Sequence, residues 1–455
     1  MRAGVAAGHP ATCEAGVEIL EDGGTAADAA VAASLASCVA ETVMTGLLGG
    51  GHAVYWDAAA GRARNLDCFV AIPSGPPGAM RELQVPFGEE LVHYAVGAAS
   101  CAVPGVPAGL DALWRAHGRL PWARLVEPAL RLASSGVPMP PAHVRCLEML
   151  APVLTLDAGA RIYSPGGRLL GEGDLLEQPG LVRALELVRD EGAGSVYRGT
   201  IAELLLAFSD SRGGALTRAD LGLYEAQWTA PVEVPFRGRM FLTRGGLSGL
   251  PETLRRLPES DQEDARVLAL VQTLDAPVDV DGDTTNLTVV DRDGNACVVT
   301  TSLGLGSGDY VPGLDLHLNS MLGERDLVRT ELVPGERMAS MMAPSLVVDR
   351  DGLELAIGAA GGTRLRTALV GVAAGILEQG DEPQAAVDRG RAHPVAGLVN
   401  AEPGVAETAL HALEGQGWSV RRWPERHHYF GGVSAIGRSG TAADPRRSGA
   451  ARCVP

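Results

Sequence analysis

Two hydroxyl residues at the start of a predicted hairpin are placed for nucleophilic chemistry. Thr284 and Thr285 follow Asp283 and open a stretch that alternates between apolar and polar residues. A second alternating stretch, 296–302, ends in Ser302, and the Asp-Gly pair between them predicts a tight turn. Such a hairpin brings Ser302 close to Thr284, so that one hydroxyl lies beside a nucleophilic one. Threonine pairs are also favoured in strands, so this segment alone leaves catalysis and β-propensity open.

A glycine-rich segment offers a second chemical feature. Residues 358–364 include Gly361 and Gly362 and precede an apolar helix predicted at 365–377. A glycine turn at a helix N-terminus presents backbone N–H groups to negative charge, as an oxyanion hole for acyl transfer requires. The alternative is a turn that needs glycine only for its positive φ angle.

The first elements that would position these groups are built from small residues. The stretch 23–36 predicts a helix of small residues with Thr25 as N-cap, able to pack closely on a sheet. A glycine run, 49–51, leads into a strand predicted at 53–57. The run does not match GxxxxGK[ST] and opens no helix, so we expect a close backbone contact rather than a phosphate loop.

The rest of the chain predicts helices followed by strands. Apolar residues recur at helical spacing in five segments, 108–117, 122–134, 180–189, 200–208 and 264–274. A polar, acidic stretch precedes Thr284, which suits either a cleavable site or an ordinary surface linker. Beyond the hairpin, strands are predicted at 346–349 and 353–357.

Composition narrows the class of protein. A formal net charge of -17 disfavours nucleic acid as a partner, and no window is apolar enough to span a membrane. The seven cysteines are scattered and lack CxxC pairs, so neither a zinc site nor a disulfide framework is indicated. The N-terminus lacks the long apolar core of a signal peptide. We therefore expect a cytoplasmic protein, and no cofactor or metal is implied.

Motifs along nearly the whole chain resemble those of the γ-glutamyltransferase family of N-terminal nucleophile hydrolases. They include Gly23-Gly24-Thr25-Ala26-Ala27-Asp28, the Thr284 hairpin and Gly361-Gly362-Thr363-Arg364, in the family's order. The other matching segments are 9–10, 14–16, 19–20, 29–32, 49–51, 102–106, 120–122, 128–133, 197–202, 220–224 and 444–447.

The resemblance implies an α/β fold, a four-layer αββα sandwich made as one precursor. The precursor would cut its own bond between Asp283 and Thr284. Residues 1–283 would then form a large subunit and residues 284–455 a small one, the two staying together as one αββα unit. The cut would give Thr284 a free α-amine, which titrates near neutral pH and can serve as the base that its hydroxyl needs.

The resemblance also implies roles for individual residues. Thr284 would be the nucleophile, with Gly361 and Gly362 donating backbone N–H groups to the oxyanion. Ser302 stands where the family usually has threonine and keeps a hydroxyl there. Thr300 and Asn286 are candidates for supporting the site, with Asn286 at a position that is often histidine.

The residues that would bind substrate depart from the family pattern. The family binds the α-carboxylate of a γ-glutamyl group with an arginine, and Phe69 occupies that position here. A phenyl ring cannot replace a bidentate guanidinium. Other positions that hold the amino-acid head group differ from the usual Asn, Gln, Asp and Ser-Ser, and they are Gly304, Met321, Glu324 and the pair Ser340 and Met341. Retained catalytic groups with an altered pocket predict a changed substrate.

Three functions remain open from the sequence. The first is an autoprocessed hydrolase or acyltransferase acting on a small metabolite other than a standard γ-glutamyl compound. The second is a carbon–carbon bond hydrolase, as in divergent relatives that trim an alkylproline precursor in antibiotic biosynthesis. The third is a non-catalytic relative kept as a scaffold.

Overall fold

A computed structural model describes residues 1–87, 90–260, 262–274, 284–324, 327–328 and 331–455. Asp283 and the acidic stretch before it lie outside the described residues. The α-helices are α1 (Pro10–Glu21), α2 (Ala26–Ala40), α3 (Val106–His117), α4 (Trp122–Ser135), α5 (Pro141–Leu154), α6 (Gly159–Tyr163), α7 (Pro179–Glu191), α8 (Thr200–Ser211), α9 (Arg218–Leu223), α10 (Leu250–Arg256), α11 (Glu263–Leu274), α12 (Arg364–Gln379), α13 (Pro383–Asp388) and α14 (Glu407–Gly415).

The strands fall into two large sheets and several small ones. They are β1 (Gly4–Ala7), β2 (Gly50–Asp57), β3 (Arg62–Cys68), β4 (Arg81–Phe87), β5 (Glu90–Val96), β6 (Val137–Pro138), β7 (Leu175–Leu176), β8 (Gln227–Thr229), β9 (Val232–Phe236), β10 (Arg239–Thr243), β11 (Thr285–Val290), β12 (Ala296–Ser302), β13 (Tyr310–Val311), β14 (Leu316–His317), β15 (Ser345–Asp349), β16 (Gly352–Ala360), β17 (Ala392–Val395), β18 (Leu398–Ala401), β19 (Ser419–Arg422), β20 (Gly432–Gly437), β21 (Gly440–Ala443) and β22 (Ala450–Cys453). The seven-stranded sheet has the order β22-β1-β11-β12-β2-β3-β8, and the six-stranded sheet has the order β21-β20-β16-β15-β10-β9.

Side-chain alternation along the strands builds the layers. In β1, Val5 and Ala7 pack into the core beneath α1 to α4, while Ala6 packs into the core between the two sheets. In β12, Val299 faces the helices and Val298 faces the second sheet. The outer face of the second sheet is covered by α10 to α13. The layers therefore run helix, sheet, sheet, helix, which confirms the predicted αββα sandwich.

The small-residue helix lies where the sequence predicts it. All residues of α2 are buried, because alanine side chains let the helix pack on the sheet and on α1 and α4 at once. Thr25 and Asp28 form a capping box at the start of the helix. In it, the Thr25 side chain accepts a hydrogen bond from the Asp28 backbone N–H at 3.2 Å. The helix begins at Ala26 and extends to Ala40, four residues past the predicted end.

The hairpin and the glycine contact are also confirmed. β11 and β12 pair antiparallel with Thr285 opposite Thr301. The glycine run enters β2 and lies against β12, since a Cβ on Gly51 would be 2.5 Å from the Thr300 carbonyl oxygen. The five helices predicted between 108 and 274 appear as α3, α4, α7, α8 and α11. One boundary is wrong: residues 358–360, predicted as part of a turn, continue β16, because they pair with β20.

A buried ionic cluster stabilises the C-terminal part of the fold. The Arg446 guanidinium is fully buried and donates to both Glu402 carboxylate oxygens, at 2.8 and 2.9 Å from its Nε. It also pairs with Asp444 at 3.2 Å, and Asp444 accepts from Arg391. The charges therefore satisfy one another inside the protein.

Arg446→Met is expected to lower the free energy of unfolding by about 3–5 kcal/mol, because it removes the charged partner of the buried Glu402 carboxylate. Thermal unfolding would measure this as a Tm drop of several degrees. Arg452→Met is the matched control, since Arg452 pairs with Glu14 in solvent, and it should cost less than about 1 kcal/mol. Equal Tm values for the two variants would contradict the prediction.

Candidate active site

Thr284 lies between the two sheets, directly before β11. Its side chain is 4% exposed, and its Oγ1 accepts a hydrogen bond from the backbone N–H of Gly361 at 3.0 Å. Gly361 directly follows β16 in the second sheet. The structure therefore brings together, between the two sheets, the two chemical features predicted from the sequence, one hydroxyl and one glycine N–H.

The turn that presents the N–H requires glycine. Gly361 has a φ of +123°, and a Cβ there would lie 2.7 Å from the Gly431 Cα. Gly362 also has a positive φ, +57°. Backbone donors held this rigidly can stabilise an oxyanion without reorganising. The structure shows a Thr284 contact for Gly361, and the role of the Gly362 N–H stays a prediction.

Ser302 lies on the strand beside Thr284. Thr285 pairs with Thr301, so Ser302 is one residue beyond that pair at the end of β12. Side chains alternate along both strands, which places Ser302 and Thr284 on the same inner face. The Ser302 Oγ accepts from the backbone N–H of Gly304 at 2.9 Å. The predicted proximity of the two hydroxyl residues is thus built into the sheet register.

Asn286 and Thr300 form a polar link below the nucleophile. Asn286 Nδ2 donates to Thr300 Oγ1 at 2.8 Å and to the Val299 carbonyl at 3.0 Å. Its Oδ1 accepts from Ser434 of the second sheet. These bonds connect β11, β12 and β20, so the pair supports the position of both sheets near Thr284.

Three residues predicted to contact substrate lie in one apolar cluster. Phe69 is 1% exposed and stacks on the His52 ring at 5.5 Å. Met321 and Met341 belong to the same cluster as Phe69. The other buried members are Val70, Ile72, Ala102, Leu327, Met338 and Met342. The positions at which this chain departs from the family pattern are therefore packed against aliphatic and thioether groups.

The remaining predicted substrate residues lie close by but are engaged within the protein. Glu324 is 3% exposed, and a Cβ on Gly304 would lie 2.1 Å from its Oε1. Gly304 therefore makes room for this carboxyl group. The Ser340 hydroxyl accepts from the Met342 backbone N–H at 3.2 Å, and Arg244 donates to the Ser340 carbonyl at 3.1 Å.

The structure adds one functional candidate, Glu41, which the sequence motifs do not indicate. It follows α2 directly, is 0% exposed, and accepts hydrogen bonds from the hydroxyls of Thr12 and Thr285. Burial raises the pKa of Glu41 to about 7, against the lowering effect of the two hydroxyl bonds and of Arg447. An acidic residue directly after a buried, alanine-rich helix is the sequence feature that could have identified it.

The part of the chain that the structure describes contains neither a metal-binding cluster nor a membrane-spanning helix. No group of three or more His, Cys, Asp or Glu side chains there is arranged to hold a metal ion. Among the same residues, no helix combines the length and apolar character needed to cross a membrane.

Known proteins are similar to this chain over nearly its whole length. The family model described as Gamma-glutamyltranspeptidase matches residues 12–250 and 253–454. The glutathione hydrolase proenzyme of Bacillus subtilis (strain 168) is 26% identical over 98% of this chain and 90% of its own length. The Acylase ACY 1 proenzyme of Pseudomonas sp. (strain V22) is 27% identical over 95% of this chain and 89% of its own length.

Solved structures share the fold. Cephalosporin acylase from Bacillus halodurans is 23% identical with a TM-score of 0.82, covering 100% of this chain and 96% of that chain. LmbA2991HD is 22% identical with a TM-score of 0.82, covering 100% of this chain and 98% of that chain. These likenesses show the N-terminal nucleophile hydrolase fold that the sequence predicts.

Proposed function

The chain belongs to the gamma-glutamyltranspeptidase family of hydrolases, and on that premise we propose that it is a self-cutting acylase with Thr284 as nucleophile. The observation that carries the proposal is the 3.0 Å hydrogen bond from the Gly361 N–H to Thr284 Oγ1. This hydrogen bond puts a hydroxyl that can attack a carbonyl carbon beside a donor that can stabilise an oxyanion.

The first reaction would be on the chain itself. Thr284 Oγ1 attacks the carbonyl carbon of Asp283, the peptide C–N bond breaks, and the acyl group passes to the hydroxyl as an ester. Water then hydrolyses the ester, which frees the Thr284 hydroxyl and leaves its nitrogen as an α-amine. The proenzyme names of the relatives support such a precursor, divided into residues 1–283 and 284–455.

The second reaction would repeat the chemistry on a substrate. The α-amine of Thr284 takes the hydroxyl proton as Oγ1 attacks the acyl carbon, and the Gly361 and Gly362 N–H groups receive the oxyanion. The proton then passes to the leaving group, and water or an acceptor releases the acyl group. Ser302 would orient the nucleophile from the neighbouring strand.

The substrate group that we propose is apolar. Phe69, Met321 and Met341 pack in one apolar cluster, at positions where a γ-glutamyl head group would need polar partners. An unpaired carboxylate in such surroundings is strongly disfavoured. The acylase name of one relative supports an acyl substrate.

A carbon–carbon bond hydrolase is the second candidate, favoured by the same apolar cluster. The nucleophile and the oxyanion donors serve equally when the leaving group is a stabilised carbanion. The scaffold alternative predicts that the chain stays whole and has no activity at all.

The purified protein should hydrolyse a hexanoyl anilide at least about 100-fold faster, in kcat/KM, than a γ-glutamyl anilide, because only the first lacks a charge that the cluster cannot pair. Anilide release measures both rates. A 1,3-diketone with apolar side chains is the third substrate, because it is uncharged and one carbonyl can stabilise the carbanion that leaves when the other is attacked. Its cleavage in place of either anilide would favour the second candidate. Preference for the γ-glutamyl anilide would contradict the proposed pocket.

A further inference from the structure

A buried carboxyl group lies behind the proposed nucleophile. Glu41 is carried there by α2, whose small residues bring the helix end close to the sheet. Placing a carboxyl group in the interior is costly unless hydrogen bonds compensate. Its position therefore calls for an explanation in terms of what it contacts.

Both oxygens of Glu41 are engaged by threonine hydroxyls from different elements. Thr12 of α1 donates to Oε1 at 2.6 Å, and Thr285 of β11 donates to Oε2. A Cβ on Gly8 would lie 2.7 Å from Oε2 and 2.9 Å from the Thr285 Oγ1. Only glycine at position 8 thus leaves room for the Glu41–Thr285 contact.

The contact supports β11 where one neighbouring strand has ended. β1 pairs with β11 as far as Ala7 opposite Leu287, two residues short of Thr285. On its other side β11 pairs with β12 up to Thr285 opposite Thr301. Glu41 accepts a hydrogen bond from the Thr285 side chain on the helix side of the sheet, beyond the point where β1 stops pairing with β11. It adds an attachment that β1 does not provide.

We propose that Glu41 is a positioning residue for the nucleophile: by holding Thr285 it keeps Thr284 Oγ1 at the Gly361 N–H, above all once the cut has made Thr284 a chain end. Chain ends fray unless they are tied down. The inference rests on the proposed function, because it assumes that Thr284 reacts.

The charged surroundings of Glu41 supply a readout beyond folding. Burial raises the pKa of Glu41, and the positive charge of Arg447, in the C-terminal segment, partly offsets this rise. Burial also raises the pKa of the Cys38 thiol in α2, and the Glu41 charge raises it further. The hydroxyls of Thr12 and Thr285 also face Glu41. Since burial raises the pKa of Glu41 to about 7, a Gln replacement would remove a group that ionises near neutral pH.

The first test compares Glu41→Ala with Glu41→Gln. Glu41→Ala should slow self-cutting, followed on denaturing gels, by at least about 10-fold, and should lower kcat of the cut enzyme about 10- to 100-fold. Glu41→Gln keeps an acceptor and should restore both rates to within about 5-fold of the wild type. It should also remove from the pH profile of kcat a step near pH 7 no larger than about 5-fold, while the ionisation of the Thr284 α-amine remains. Glu14→Gln, an exposed glutamate on α1, is the matched control and should change nothing.

A second pair of variants keeps the inference testable if Glu41→Ala does not fold. Thr285→Val removes the bonded hydroxyl and should reproduce the slow cutting, whereas Thr285→Ser should behave as wild type. Wild-type cutting and kcat in both Glu41→Ala and Thr285→Val would overturn the positioning role. Equal defects in Glu41→Ala and Glu41→Gln, or in Thr285→Val and Thr285→Ser, would also overturn it. None of these results would contradict the proposed role of Thr284 as nucleophile, because variants of Thr284 test that role separately.

Discussion

Thr284→Ala is expected to leave the chain uncut and to abolish activity. Without the hydroxyl there is nothing to attack the Asp283 carbonyl, and without the cut there is no α-amine to act as base. We expect kcat/KM to fall by at least about 10⁴-fold, as when a nucleophile is removed from a catalytic unit. Denaturing gels should show one full-length band during long incubation, where the wild type gives fragments 1–283 and 284–455.

Thr284→Ser is the matched control for this experiment. It keeps a hydroxyl and, after cutting, an α-amine, so it should cut itself and retain activity. Mass spectrometry of the small fragment would place its first residue at position 284. Turnover by Thr284→Ala, or an active wild type with an uncut backbone at this point, would refute the proposed mechanism.

Gly361→Ala is expected to lower kcat by about 10²- to 10³-fold, the usual effect of losing one oxyanion donor. The new Cβ would lie 2.7 Å from the Gly431 Cα, and the φ of +123° is strained for any residue with a side chain. The turn must therefore shift, which moves the N–H away from Thr284 Oγ1. Steady-state kinetics of the cut enzyme, with the rate of self-cutting, would measure the effect.

Gly380→Ala separates this effect from ordinary backbone strain. Gly380 ends α12 with a φ of +69°, and a Cβ there meets no atom within 4 Å. The variant should lose about 1 kcal/mol of stability and keep wild-type kcat. A Gly361→Ala enzyme with the kcat of Gly380→Ala would contradict the assignment of the oxyanion donor.

Local patterns are sufficient to predict much of the fold. The hairpin of β11 and β12 follows from alternation and an Asp-Gly turn, and α2 follows from a capping box and a run of mostly small residues. Both depend on neighbours in sequence, so no knowledge of distant contacts is needed. The αββα layers required the family resemblance, because alternation alone does not say which sheet a strand joins.

What the sequence does not reveal depends on contacts between distant segments. Glu41 meets Thr12 and Thr285 only after α1, α2 and β11 have packed together. The extension of β16 to Ala360 is decided by pairing with β20, which overrides the glycines that predict a turn. The apolar surroundings of Phe69 likewise come from segments far along the chain. Propensity rules do not describe such contacts.

The strand order has a consequence for what happens after a cut before Thr284. In the seven-stranded sheet, β1 from the N-terminal piece lies between β22 and β11 of the C-terminal piece, and β12 of the C-terminal piece pairs with β2 of the N-terminal piece. In the second sheet β15 pairs with β10. Strands of the two pieces therefore pair with each other in both sheets. Neither piece could dissociate without breaking the hydrogen bonds of both sheets, and neither would be expected to keep its fold alone.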